Sequence, residues 1–191
     1  MNRPKLNPRA ELKTLAWLRR IALWLASTFP TSQTIAGIKV HGGPEFIRCT
    51  QEALALLQNS AHFLEIQHYI AMIEQGRRSG MHASATKPTF VVGKRTWSHS
   101  PLWYAGAIAH DAYHSKLYHD AKSATGGIPP ADCWTGKAAE QKCLTFQIEV
   151  LEALGADANT VAYLDELRKN PTYQGHNKGL RGWWDYLIRR W

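Results

Sequence analysis

Residues 103–120 read WYAGAIAHDAYHSKLYHD, and the rest of the chain is arranged around them. The first seven are apolar or small, the signature of a helix buried on nearly every side. Polar residues then begin abruptly at His110. His110 and His114 stand at i and i+4, which puts both imidazoles on one helix face about a turn apart. Ser100-Pro101 ahead of them supplies an N-cap and a first helical residue. The helix is therefore predicted from Leu102 to about Tyr118.

On the C-terminal side, residues 121–135 carry Gly126-Gly127 and Pro129-Pro130 and read as an irregular connection. Ala138 to Leu154 is the next helix, closed by Gly155 as a C′ glycine. A short helix over 160–168, a loop NPTYQGHNKG (170–179) and a Trp-rich helix from about Leu180 complete this end, with Trp183, Trp184 and Trp191 read as packing residues. On the N-terminal side, TFVVGKRTW (89–97) reads as a strand and the Gly-, Ser- and Arg-rich stretch 76–88 as a loop. FLEIQHYIAMIEQ (63–75) fits either a helix or a pair of strands. A helix runs from Pro44 through FIRCTQEALALLQN (46–59), whose apolar residues recur at helical spacing. TIAGIKV (34–40) reads as a short strand ended by a turn at His41-Gly42-Gly43-Pro44. Gly42-Gly43 is that turn rather than a phosphate loop, because no G-x-x-x-x-G-K-[ST] occurs.

These elements predict an α+β class: a small mixed sheet packed against helices, in a single domain over 1–191. Within it, 11–28 is an amphipathic helix stopped at Phe29-Pro30, 36–155 the core and 156–191 a helical extension. The formal charge of +8 comes from dispersed Lys and Arg residues with only short pairs such as Arg19-Arg20. No nucleic-acid reader motif accompanies it, so no specific nucleic-acid partner is expected. Residues 12–29, basic then apolar, are too short to span a bilayer, and Arg19-Arg20 interrupt them. They fit a helix that packs on the domain or touches a membrane surface. Cys49, Cys133 and Cys143 are odd in number and lack C-x-x-C spacing, which points to a reducing, cytoplasmic setting.

Imidazoles at i and i+4 can share one zinc ion. Asp111, directly after the first, stands where a carboxylate could take a proton from zinc-activated water. A catalytic site needs a third ligand and an open position. Glu140, early in AAEQKCLTFQIEVLEALGA (138–156), is the best candidate, and Cys143 and Gln147 share its helix face. His119, Asp120 and Glu149 are weaker, since His119 rotates away from the paired face. Tyr113, Tyr118 and Tyr173 could donate to an oxyanion but are better read as structural, and His82 and His99 as surface or capping residues.

TFVVGKRTW, AIAHDAYHS and AAEQKCLTFQIEVLEALGA, taken in order, resemble the small gluzincin-type metallopeptidases. The resemblance covers about residues 36–155. It implies a zincin-like fold, a zinc site of His110, His114 and Glu140, Asp111 in the position of the catalytic acid, and a peptide or protein substrate. It also implies that Thr89–Thr96 is the sheet-edge strand on which an extended peptide would lie. One departure stands out: the family has Glu where this chain has Asp111, shorter by one methylene. Two other readings compete. The His110-Asp111 doublet is similar to that of HD-type metal phosphohydrolases, with His68, His82 or His99 upstream and Asp157 or Asp165 downstream. A zincin-shaped binding module without turnover is the second, motivated by the shortened acid.

Overall fold

The structure is a computed structural model that describes residues 30–169. The predicted N-terminal helix over 11–28, Tyr173 and the Trp-rich C-terminal helix lie outside the described residues. The class is α+β, as expected. In chain order the elements are β1 (Thr31–Ile35), β2 (Ile38–Gly42), α1 (Pro44–Leu57), α2 (Phe63–Tyr69), β3 (Met72–Gly76), β4 (Gly80–His82), β5 (Thr89–Gly93), the single turn α3 (Lys94–Trp97), α4 (Pro101–Thr125), a 3₁₀ turn at Ala131–Cys133, α5 (Gly136–Ala153) and α6 (Ala158–Lys169). The five strands form one mixed sheet in the order β1-β2-β3-β5-β4. β2, β3 and β5 run parallel, and the edge strands β1 and β4 are antiparallel to their neighbours.

Several sequence expectations need correction. The stretch 34–40 is not one strand but the inner part of a hairpin, with Ile35 paired to Ile38. Ala36 and Gly37 form its two-residue turn, both at positive φ (48° and 79°), the conformation that matches the twist of the flanking strands. The ambiguous stretch 63–75 divides into α2 and β3. The presumed loop 76–88 contains β4. The strand from Thr89 ends at Gly93, and Lys94–Trp97 is helical. Most consequential, β5 is not the sheet edge: β3 pairs with it on one side and β4 on the other. Thr89, Phe90, Val92 and Gly93 are accordingly buried, as a strand flanked on both sides requires.

Ile38, Val40, Ile73, Phe90 and Val92 form the apolar core face of the sheet. Phe46, Leu54 and Leu57 of α1, Ile66 of α2 and Tyr104, Ile108 and Ala112 of α4 join the same core. Tyr104, fully buried, shares a hydrogen bond with Thr50 of α1 at 3.0 Å, which gives its hydroxyl the partner that burial demands. α4 is longer than predicted. Ser100 caps it by accepting from the Trp103 N–H at 3.1 Å, and left-handed Gly126 ends it.

A second cluster of Trp103, Leu144, Ile148, Leu151 and Leu164 joins α4, α5 and α6. α6 begins three residues beyond the predicted core boundary at 155, yet its Leu164 is 2% exposed within that cluster. No helix of the described residues is long and apolar enough to cross a membrane.

Candidate metal centre

α4 and α5 pack side by side, and their contacts climb in steps of four residues. A Cβ on Gly106 would lie 2.8 Å from the Leu151 side chain, so glycine permits the closest approach of the two helices. One turn on, His110 Nδ1 meets Gln147 Oε1 at 3.0 Å. A further turn on, His114 falls in one cluster with Cys143. Residues 106, 110 and 114 ascend while 151, 147 and 143 descend, the pattern of an antiparallel pair. Glu140, one turn earlier on α5, completes the series and reaches both histidines.

The donor atoms converge closely. Glu140 Oε1 is 3.0 Å from His114 Nε2, and Oε2 is 3.3 Å from His110 Nε2. The two Nε2 atoms are 3.2 Å apart. Ligand atoms around a tetrahedral zinc at about 2.0–2.1 Å are separated by about 3.3 Å, so these three spacings fit a zinc ion without rearrangement. Ligand atoms of His110, His114 and Cys143 also lie within 4.8 Å of one another, a cluster that could hold a metal ion.

The outer hydrogen bonds decide which nitrogen faces inward. His110 Nδ1–H donates to Gln147 Oε1, and His114 Nδ1–H donates to the Trp134 carbonyl at 2.9 Å. Each neutral ring therefore directs a lone pair from Nε2 towards the other and towards Glu140. Two lone pairs and two carboxylate oxygens in so small a buried space repel one another unless a cation joins them. Without a metal, the cation is a proton. Burial opposes charge on His114, but Cys143 and Glu140 outweigh it and push its pKa up to about 11. Glu140 responds in the opposite sense: although burial favours its neutral form, His110 and His114 hold its carboxyl far below the usual range. Metal ligands whose second nitrogen is anchored by an outer acceptor are the rule in zinc sites.

Asp111 is half-buried beside this group. Desolvation pushes its carboxyl up to about 6, against the pull of His110 and His114, with Glu140 adding to the rise. The structure thus brings together the two histidines and the glutamate expected from the sequence, with Asp111 at their flank.

Two further members of the site have partners that the sequence does not give. Cys143 and Gln147 were visible on the Glu140 face of α5, at i+3 and i+7, but nothing in the sequence says which residues of α4 they oppose. The weaker candidates have other neighbours. His119 lies between the Tyr69 and Tyr118 rings, and Asp120 pairs with Lys116. Glu149 is exposed. Tyr113 packs at a tilt against Phe146, and Tyr118 meets Trp134 edge-on, in keeping with structural roles.

The residues that an HD-type site would need have other surroundings. His68 packs against Tyr69 and His99 against Trp103, while His82 is exposed on β4. Asp157 caps α6 through the Asn159 and Thr160 N–H groups. Asp165 pairs with Arg168 and Lys169. No protein-family model, curated protein or solved structure matches the chain.

Proposed function

We propose that this protein is a zinc-dependent hydrolase acting on peptide bonds, with His110, His114 and Glu140 as metal ligands. The observation that carries the proposal is the meeting of two anchored imidazoles and a buried carboxylate at 3.0–3.3 Å. Bound zinc would supply Lewis acidity, letting water give up a proton near neutral pH and polarising a carbonyl.

The chain's own residues do the rest. Gln147 and the Trp134 carbonyl hold both rings in one tautomer. α4 and α5 exclude most solvent from the ligands, and the 13% and 11% of the His110 and His114 side chains that stay exposed would be the substrate's way in. Asp111 is the general base towards the attacking water, and its shorter arm requires that water to approach closely. Peptide substrates would extend the sheet at the edge strand β4, which neighbours β5, in place of the internal β5 itself.

Two measurements test this. Elemental analysis of the full chain is expected to give one zinc per molecule, lost in His114→Ala and in Glu140→Gln. Unstructured peptide mixtures should be cleaved by the zinc-loaded protein, inhibited by chelator and restored by zinc. Asp111→Asn should keep the metal and lose cleavage. Stoichiometric zinc with no cleavage by the wild type or by Asp111→Glu refutes the peptidase and leaves a metal-holding binding module. Absence of zinc refutes the site itself.

A further inference from the structure

We propose that Cys143 is a fourth protein ligand, so that the resting metal sits in a closed cage of two imidazoles, one carboxylate and one thiolate. The inference rests on the metal site proposed above and changes its coordination: the position that a catalytic zinc gives to water is filled by sulfur.

Three features of the fold carry it. Cys143 is fully buried, and its sulfur clusters with ligand atoms of both His110 and His114 within 4.8 Å. A tetrahedral zinc with bonds of about 2.3 Å to sulfur and 2.0–2.1 Å to nitrogen separates these atoms by about 3.6 Å, which that limit accommodates. The helix register supplies the second feature. Gly106 faces Leu151 and His110 faces Gln147, so the next step of four places Cys143 at the level of His114. Glu140 and Cys143 are then one turn apart on α5, just as His110 and His114 are on α4. Each helix then carries two donor residues, and the two imidazoles are common to both sets, within reach of Glu140 on one side and of Cys143 on the other.

The third feature is chemical. A buried free cysteine ordinarily behaves as a small apolar residue among apolar neighbours. Cys143 instead faces the two imidazoles and shares its helix face with Glu140, the polar end of an otherwise apolar helix pair. Borderline-soft zinc accepts thiolate alongside nitrogen and carboxylate ligands. Water or a substrate carbonyl would then have to enter as a fifth ligand, an expansion that zinc permits.

The test uses cobalt(II) in place of zinc in the full chain. A thiolate bound to cobalt(II) gives an intense charge-transfer absorption in the near ultraviolet, which imidazole and carboxylate ligands do not. The band is expected on loading one equivalent, together with the visible bands of tetrahedral cobalt, and should be bleached by one equivalent of zinc. It should vanish in Cys143→Ser and persist in Cys49→Ser and Cys133→Ser. The chain has three cysteines, so the last two variants identify the ligand by elimination even if Cys143→Ser folds poorly. Zinc affinity in Cys143→Ser should fall by more than the about 10–100-fold typical of losing an outer-sphere hydrogen bond. Stoichiometric cobalt without the charge-transfer band overturns the fourth ligand and leaves the three-ligand site standing. A folded protein that takes up neither cobalt nor zinc overturns both.

Discussion

Gln147 gives the sharpest test of the metal centre, because two opposite substitutions there should move affinity and stability in different directions. Its Oε1 accepts from His110 Nδ1 at 3.0 Å, and the side chain is 4% exposed. Gln147→Leu keeps the bulk and removes the acceptor, so the His110 ring loses the bond that fixes its tautomer. An outer acceptor of this kind is worth about 10–100-fold in metal affinity, or about 1.4–2.8 kcal/mol. The metal-free fold should lose about 1–3 kcal/mol, since the Nδ1–H of His110 is left without its acceptor. Gln147→Glu places a charged acceptor on the same nitrogen and makes His110 a stronger ligand. In the metal-free protein, however, it buries a second carboxylate on the Glu140 face of α5. Zinc affinity should therefore hold or rise while the chelator-treated protein melts earlier. Chelator competition and thermal melts with and without zinc measure the two quantities. A purely structural glutamine would move both variants' melts and leave zinc affinity alone. If Gln147→Leu binds zinc within twofold of the wild type, the assigned orientation of His110 is wrong.

Gly106→Ala sets a helix-propensity gain of about 1 kcal/mol against an overpacking cost of about 1–3 kcal/mol. With a Cβ 2.8 Å from buried Leu151, chemical denaturation should show a net loss of up to about 2 kcal/mol, and a stabilised variant would contradict the close approach of α4 and α5. Leu164→Ala, remote from every ligand, should cost about 2–5 kcal/mol in the same assay; a loss below about 1 kcal/mol would show that α6 is not part of the core. Zinc uptake should release protons. The folded pKa of His114 is raised above its ordinary value to about 11, so the stabilisation it gives the metal-free fold is complete below about pH 6.5 and disappears as pH climbs through about 11. At neutral pH zinc must displace that proton, and apparent affinity should rise about tenfold per pH unit for each proton released. Calorimetry in two buffers of different ionisation enthalpy counts the protons, and a count of zero would contradict a protonated His114.

The fold and the site were visible in the sequence to different depths, for physical reasons. α4 and α5 announced themselves because caps, glycine stops and apolar spacing are local signals. Ser100-Pro101 and Gly155 each act within a turn of where they stand. The sheet was harder. β4 is three residues long in a Gly- and Ser-rich stretch, and its existence depends on pairing with β5, which no local pattern records. The same non-local pairing turned Thr89–Gly93 from a presumed edge into an inner strand. The β1–β2 hairpin was missed because Ala36 gives no turn signal of its own, and the positive φ it adopts is usual for Gly or Asn. At the site, His110, His114 and Glu140 could be proposed from residue type and spacing. Gln147 and Cys143 could not be placed, because their roles come from the register between two helices, and that register is set by the contact of Gly106 with Leu151.

That register also depends on packing from beyond the predicted core, 36–155. α4 is positioned by the sheet cluster, through Tyr104, Ile108 and Ala112. α5 contributes Phe146 and Val150 to the same cluster, but Leu144, Ile148 and Leu151 pack in the second cluster with Leu164 of α6. α6 further ties α5 by polar contacts, since Gln141 Nε2 donates to the Arg168 carbonyl at 3.2 Å. Glu140 and Gln141 are adjacent, so the carboxylate that meets both histidines is carried on a turn held from its far side by α6. Ligands on two helices keep spacings near 3 Å only if neither helix can slide along the other. α4 is held mainly by the sheet and α5 also by α6, and the tight Gly106 crossing locks their relative height. Metal affinity should therefore depend on residues 158–169, although none of them is a proposed ligand.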